Sequence, residues 1–124
     1  MCGIAGFLHL DGAPADSALL KPMTDAISHR GPDGEGQWAD GPIGLGHRRL
    51  AILDLSEAGR QPMFTPDERY TITYNGELYN YRELRRELEE LGHEFRSRSD
   101  TEVILHAFGQ WREKALDRFN GIQR

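Results

Sequence analysis

The chain spends its only cysteine at residue 2, and an apolar run, GIAGFLHL, follows directly behind it at residues 3–10. Such a run is too short for a core helix, and its near-continuous apolar character predicts a strand buried on both faces. A chain that starts this way puts its first residues inside the fold, and the segments after them must cover that strand. DGAPAD predicts the turn that follows. Leu19, Leu20, Met23 and Ile27 then recur at helical spacing. Pro22, which lacks a backbone donor, is expected to kink this helix or delay its start.

HRGPDGEG, residues 29–36, packs three glycines and a proline together and reads as loop. GPIGLGHRRLAILDLS, residues 41–56, holds two short apolar segments around His47 and Arg48, consistent with a strand pair or one bulged strand. YTITYNG, residues 70–76, is β-branched and aromatic, which predicts a strand ending at an Asn-Gly turn. In NYRELRRELEELG, Asn80 is a candidate cap with Glu83 three residues on. Leu84, Leu88 and Leu91 line one face, and Gly92 is placed to end the helix. HEFRS predicts a short strand. Ser99 and Glu102 repeat the capping-box spacing ahead of Val103, Ile104, Ala107, Phe108 and Trp111, so a second helix is expected near Asp100. Strands and helices mix without a βαβ rhythm or an internal repeat, which favours an α+β fold.

Composition excludes several function classes. A length of 124 residues suits one small domain, and no apolar run approaches the roughly 18 residues a membrane span needs. The amino terminus has no basic segment ahead of its short apolar run, so a cytoplasmic address is expected. One cysteine forms no intramolecular disulfide, leaving the Cys2 thiol free. A net charge of -5 gives no field for a polyanion, and the arginines from Arg82 to Arg86 are interleaved with Glu83 and Glu87 as on a solvated helix face. Nucleic acid is therefore not expected as a partner. His29, His47, His93 and His106 lack zinc-ligand spacing, so no metal is expected. GPIGLG lacks the Lys-Ser or Lys-Thr of a phosphate cradle. Trp38, Phe108 and Trp111 read as core or cover.

Position 2 carries the chemistry. Initiator methionine is removed when a small residue follows it, which would make Cys2 the first residue and give it a free α-amine. α-Amines ionise close to neutrality, so a nucleophile and its general base then share one residue, with sulfur the stronger analogue of an amino-terminal threonine hydroxyl.

MCGIAGF, HRGPDGEG, GHRRLAILDLS, GRQPM, YNGELYNYRELRREL and SDTEVILHAF stand in this order across nearly the whole chain. Together they resemble the amino-terminal glutaminase domain of class II glutamine amidotransferases, within the amino-terminal-nucleophile hydrolases, and most closely the asparagine synthetase branch. The resemblance implies an αββα sandwich. It makes Cys2 the nucleophile on the side-chain amide of L-glutamine, and the Asn75 side chain and Gly76 backbone N–H the oxyanion hole. The alternative for Asn75-Gly76 is a plain tight turn. Arg49 would hold the α-carboxylate of glutamine, with the backbone of Arg49, Leu50, Ala51, Ile52 and Leu53 as a substrate-lining strand. Glu77 and Asp100 would receive the α-ammonium, and Asp100 also suits a helix start. His29, Arg30, Gly31 and Asp33 resemble an architectural signature near the site.

Family members continue into strands that complete the sandwich and then into an ATP-using synthetase domain, so residues 1–124 read as a truncated glutaminase domain whose tail, with Gln123 and Arg124, departs from the family's apolar strand. The resemblance implies no cofactor here, with ATP and magnesium needed only by the absent synthetase domain. It implies a synthetase domain or complementing chain as partner, and an uncovered sheet face favours that chain or a homodimer. Two alternatives stay open: the glutaminase domain of another amidotransferase branch, and an inactive remnant that binds glutamine or a partner chain.

Overall fold

The computed structural model describes residues 1–123, which divide into two compact units: residues 1–51, 60–62 and 73–75, and residues 52–59, 63–72 and from 76 onward. Helix and sheet are mixed in an α+β arrangement, with three small antiparallel sheets.

The first unit is built on strands β1 (Gly3–Leu8), β2 (Gly34–Asp40) and β3 (Ile43–Arg49) in the order β1-β3-β2. Helix α1 (Leu20–Ala26) follows a 3-10 turn at Ser17–Leu19. Pro22 sits in the first turn of α1, where no intrahelical donor is lost. The register pairs Gly3 with Arg48, and Gly34 with Arg49. Leu20 and Thr24 are fully buried against the sheet. Gly46 lets α1 come close, since a Cβ there would stand 2.6 Å from Thr24 Cγ2, and Gly44 leaves room for the Phe7 ring of β1, 2.8 Å from where its Cβ would be, and for Leu20 Cδ1 at 3.3 Å. Arg48 completes this face. Its Nε donates to the Thr24 carbonyl at 2.9 Å, and its Nη2 pairs with Asp25 and with Glu35 at 2.7 Å.

Three expectations are corrected over residues 3–55. Residues 3–10 are not buried on both faces: β1 is an edge strand ending at Leu8, and Ile4 and Leu8 are 47% and 56% exposed. Gly34–Gly36 are not loop but the start of β2. A Cβ on Gly36 would lie 1.8 Å from the Gln61 carbonyl, so the glycine serves close approach inside a strand rather than a turn. The apolar stretch after Arg49 forms no second strand, and Leu50–Leu53 are irregular. Ile52, Leu53 and Leu55 are exposed, so nothing buries a strand there.

The second unit packs helices α2 (Tyr81–Glu90) and α3 (Asp100–Trp111) around Leu78, Leu84, Leu88, Val103, Ala107 and Ala115. Strands β4 (Met63–Phe64) and β5 (Thr71–Ile72) form one two-stranded sheet, and β6 (Gly76–Leu78) pairs with β7 (Gly121–Gln123) in another. The strand predicted over residues 70–76 thus stops at Ile72, and Gly76 opens β6. Asn75-Gly76 is therefore not the predicted hairpin turn. Gly92, at φ +98, ends α2 as expected, although Leu91 is exposed. Asn80 occupies the cap position but makes no side-chain cap. Its Nδ2 donates to the Arg118 carbonyl at 2.8 Å and its Oδ1 accepts from Asn120 N–H at 3.0 Å, tying α2 to the approach of β7. HEFRS is not a strand, because the Arg96 and Ser97 N–H groups go to the Glu102 carboxylate instead of a neighbouring strand. Ser99 caps α3 through its hydroxyl, which accepts from Thr101 N–H at 3.1 Å. Of the tail, Gln123 closes β7, and Arg124 lies outside the described residues.

Candidate active site

Strand register determines which side chains share a face. In an antiparallel pair, directly opposed residues point the same way and successive residues alternate. A Cβ on Gly3 would meet Ile27, and Arg48, its partner, reaches Thr24 and Asp25, so this pair faces α1. His47 and Arg49 then face away from α1, and the register continued by one residue sets Cys2 beside Arg49. Gly36, paired with His47, meets Gln61 on the same side. Of the two adjacent arginines, Arg48 is committed to the ion network with α1, and Arg49 lies on the side of the thiol.

Cys2 is half-buried, and its Sγ lies between the two backbone groups of Leu50: it accepts from Leu50 N–H at 3.3 Å and donates to Leu50 C=O at 3.6 Å. Arg30 Nε donates to the Cys2 carbonyl at 3.2 Å. Asp33 N–H donates to Arg49 C=O at 3.0 Å, and Asp33 Oδ2 accepts from Ala51 N–H at 2.9 Å. The segment containing Arg30 and Asp33 therefore braces both sides of the Cys2–Leu50 contact. Nothing local in the sequence pointed to the Leu50 backbone as the partner of the thiol.

Asn75 is buried at the end of a short irregular segment, residues 73–75. Thr73 Oγ1 donates to Gly46 C=O at 3.4 Å, Tyr74 N–H donates to Gln61 Oε1 at 2.6 Å, and His47 Nε2 lies 3.2 Å from the Tyr74 carbonyl. Sequence reasoning gave His47 and Gln61 no role here, because these bonds span 13 to 27 residues and leave no periodic trace. His47 is 1% exposed. Burial lowers its pKa to about 4, with the nearby Arg49 charge adding to the effect and the Tyr74 bond opposing it.

The remaining predicted residues belong to the second unit. Ile52 and Leu53 are exposed loop residues, so the predicted lining strand from Arg49 to Leu53 is replaced by the end of β3 and irregular backbone. Gly76 opens β6, and Glu77 is exposed on it. Asp100 is buried as the first residue of α3, and its Oδ2 accepts from Leu78 N–H at 2.8 Å. Burial pushes the Asp100 carboxyl up, and the Glu77 charge adds to this against the bonds from Leu78 and Thr101. Among the described residues no group of three or more His, Cys, Asp or Glu side chains could hold a metal ion, and no helix is long and apolar enough to cross a membrane.

Comparison with known proteins gives these groups a context. Asparagine synthetase (glutamine-hydrolyzing) 3 of Bacillus subtilis is 45% identical over 125 residues, covering 98% of this chain and 20% of that protein. The corresponding enzyme 1 of Arabidopsis thaliana is 38% identical over 123 residues, with 98% and 20% covered. A putative asparagine synthetase (glutamine-hydrolyzing) 2 of Methanocaldococcus jannaschii is 41% identical over 140 residues, with 98% and 26% covered. The chain thus spans about a fifth to a quarter of the length of these relatives. The glutamine amidotransferase domain family matches residues 1–123. With a match of that extent, the chain belongs to the family of glutamine amidotransferase domains.

Proposed function

We propose that the protein is the glutaminase part of an asparagine-synthetase-like amidotransferase, that it hydrolyses L-glutamine to glutamate and ammonia, and that its strands belong to an amino-terminal-nucleophile hydrolase sandwich. The observation that supports this reading is the pairing of Gly3 with Arg48, next to which Cys2 and Arg49 are the adjoining residues of the two strands, together with the contact of the thiol with the Leu50 backbone.

With Met1 removed, the α-amine of Cys2 accepts the thiol proton as Sγ attacks the side-chain amide carbon of glutamine. A C–S bond forms and the carbonyl electron pair moves onto oxygen, where the Asn75 side chain and the Gly76 N–H are the proposed donors. Such a donor is typically worth about 3 kcal/mol in the transition state. Collapse of this intermediate breaks the C–N bond, and the proton held by the amine leaves with nitrogen as ammonia. Water then adds to the γ-glutamyl thioester, the amine takes its proton, and glutamate departs as the thiol is restored. Arg49, a planar fork suited to a carboxylate, holds the α-carboxylate end of the substrate. Glu77 and Asp100 are assigned its α-ammonium, as two carboxylates opposite one cation. The ammonia is consumed by a synthetase domain or complementing chain, where ATP and magnesium act.

Intact mass and labelling with a diazoketone analogue of glutamine test this reading. The expected result is loss of Met1, a single label on Cys2, and ammonia release from glutamine. Cys2→Ala is expected to lose both label and ammonia while keeping its far-UV circular dichroism. A folded wild-type protein that neither takes the label nor releases ammonia overturns the proposal in favour of a non-catalytic remnant.

A further inference from the structure

We infer that His47 is a positioning residue for the reaction: as a neutral imidazole it donates from Nε2 to the Tyr74 carbonyl and so fixes the orientation of the Asn75 carboxamide. This rests on the proposed role of Asn75. The Tyr74 carbonyl only accepts, so the proton of the bond at 3.2 Å lies on Nε2, and the other ring nitrogen of a neutral imidazole is bare. Nδ1 is buried and has no hydrogen-bond partner among the described residues, a state a bare nitrogen tolerates better than a charged N–H would. The lowered pKa agrees with a neutral ring.

The segment needs such a brace. Residues 73–75 form no strand, so their backbone lacks the ladder that would normally fix it. Bonds from Thr73 to Gly46, from Tyr74 to Gln61 and between His47 and Tyr74 stand in for the ladder. The His47 bond is the one at the carbonyl of the peptide unit that leads into Asn75. Rotation of that peptide swings Asn75, and displacement of a reacting group by about 1 Å can cost about a hundredfold in rate. The ring is fully buried on β3 beside Arg49, on the face of the sheet that the thiol occupies, yet it is not needed as base or ligand.

The test compares His47→Gln, whose Nε2 reproduces the donor, with His47→Leu and His47→Asn, which do not reach the carbonyl. The expected kcat for ammonia release falls about tenfold or more in His47→Leu and His47→Asn, with KM for glutamine within about twofold, and His47→Gln recovers most of the loss. The Asn75 side-chain amide pair in 15N NMR gives a second reading that does not depend on turnover. It is expected as one narrow pair in the wild type and His47→Gln, and as a broadened or multiple pair in the other two. Should His47→Leu fail to fold, His47→Asn retains a polar group in the same space and carries the comparison. Unchanged kcat with an unchanged amide pair in a folded His47→Asn or His47→Leu overturns the inference, as does a His47→Gln variant no better than His47→Leu. A wild type without glutaminase activity instead overturns the proposed function, and the amide pair still decides the role of His47.

Discussion

Glu102 offers a sharp test of how the second unit is held together. Its carboxylate is 5% exposed and accepts from Arg96 N–H at 2.8 Å, from Ser97 N–H at 2.7 Å and from the Ser97 hydroxyl, with His106 Nε2 at 3.7 Å. Burial alone would raise its pKa. His106 close by, with the bonds from Arg96 and Ser97, outweighs burial and lowers it from 4.5 to about 2. A carboxyl with a depressed folded-state pKa contributes stability above its unfolded value, and that stability is lost as pH falls through the folded value. At about 1.4 kcal/mol per tenfold change in proton affinity, the drop corresponds to about 3 kcal/mol, present near neutrality and lost between about pH 5 and pH 2. Urea denaturation at several pH values, on the wild type and on Glu102→Gln, isolates this contribution from the other carboxyls. The wild type is expected to be the more stable near neutrality, and the gap between the two is expected to shrink by about 3 kcal/mol as pH falls to about 2. Two parallel stability curves across that range would refute the assignment.

Other outcomes follow from single contacts. Asn80→Ala removes two bonds to the Arg118–Asn120 segment and is expected to cost about 1–3 kcal/mol, read as a lower thermal midpoint. Gly36→Ala forces a methyl against the Gln61 carbonyl and is expected to unfold the first unit or displace residues 60–62, seen as lost amide protection in β2. Arg49→Ala is expected to raise KM for glutamine with little change in kcat. A large fall in turnover at saturating glutamine would contradict its assignment to the carboxylate.

Much of the fold was readable because local chemistry and global packing agree. The α2 heptad of leucines, the Ser99 cap and the Gly92 stop need only neighbours within one or two turns, and each is found as expected apart from the exposed Leu91. The failures share a physical cause, which is a partner distant in sequence. Glu102 reaches back to residues 96 and 97 and takes the N–H groups a strand would have used. Asn80, with the composition of a cap, is claimed by residues 118 and 120. Glycine content marked residues 34–36 as loop because a strand glycine that admits another backbone has the same composition as one that turns. Of the candidate site, the identity of Cys2, Arg49 and Asn75 came from motifs in order. Their mutual placement, and the bracing by Leu50, Asp33, His47 and Gln61, required the register and long-range bonds.

The bare surface that Gly44 and Gly46 present to α1 has a consequence for how this scaffold can change. The Phe7 ring and the Leu20 and Thr24 side chains already press on these two positions, so an extra methyl at either must displace them, and at Gly46 it pushes on the residue whose carbonyl Arg48 holds. Control over the thiol-bearing side thus rests partly on two positions at its back that meet no ligand, and their tolerance to mutation is set by thickness rather than by chemistry.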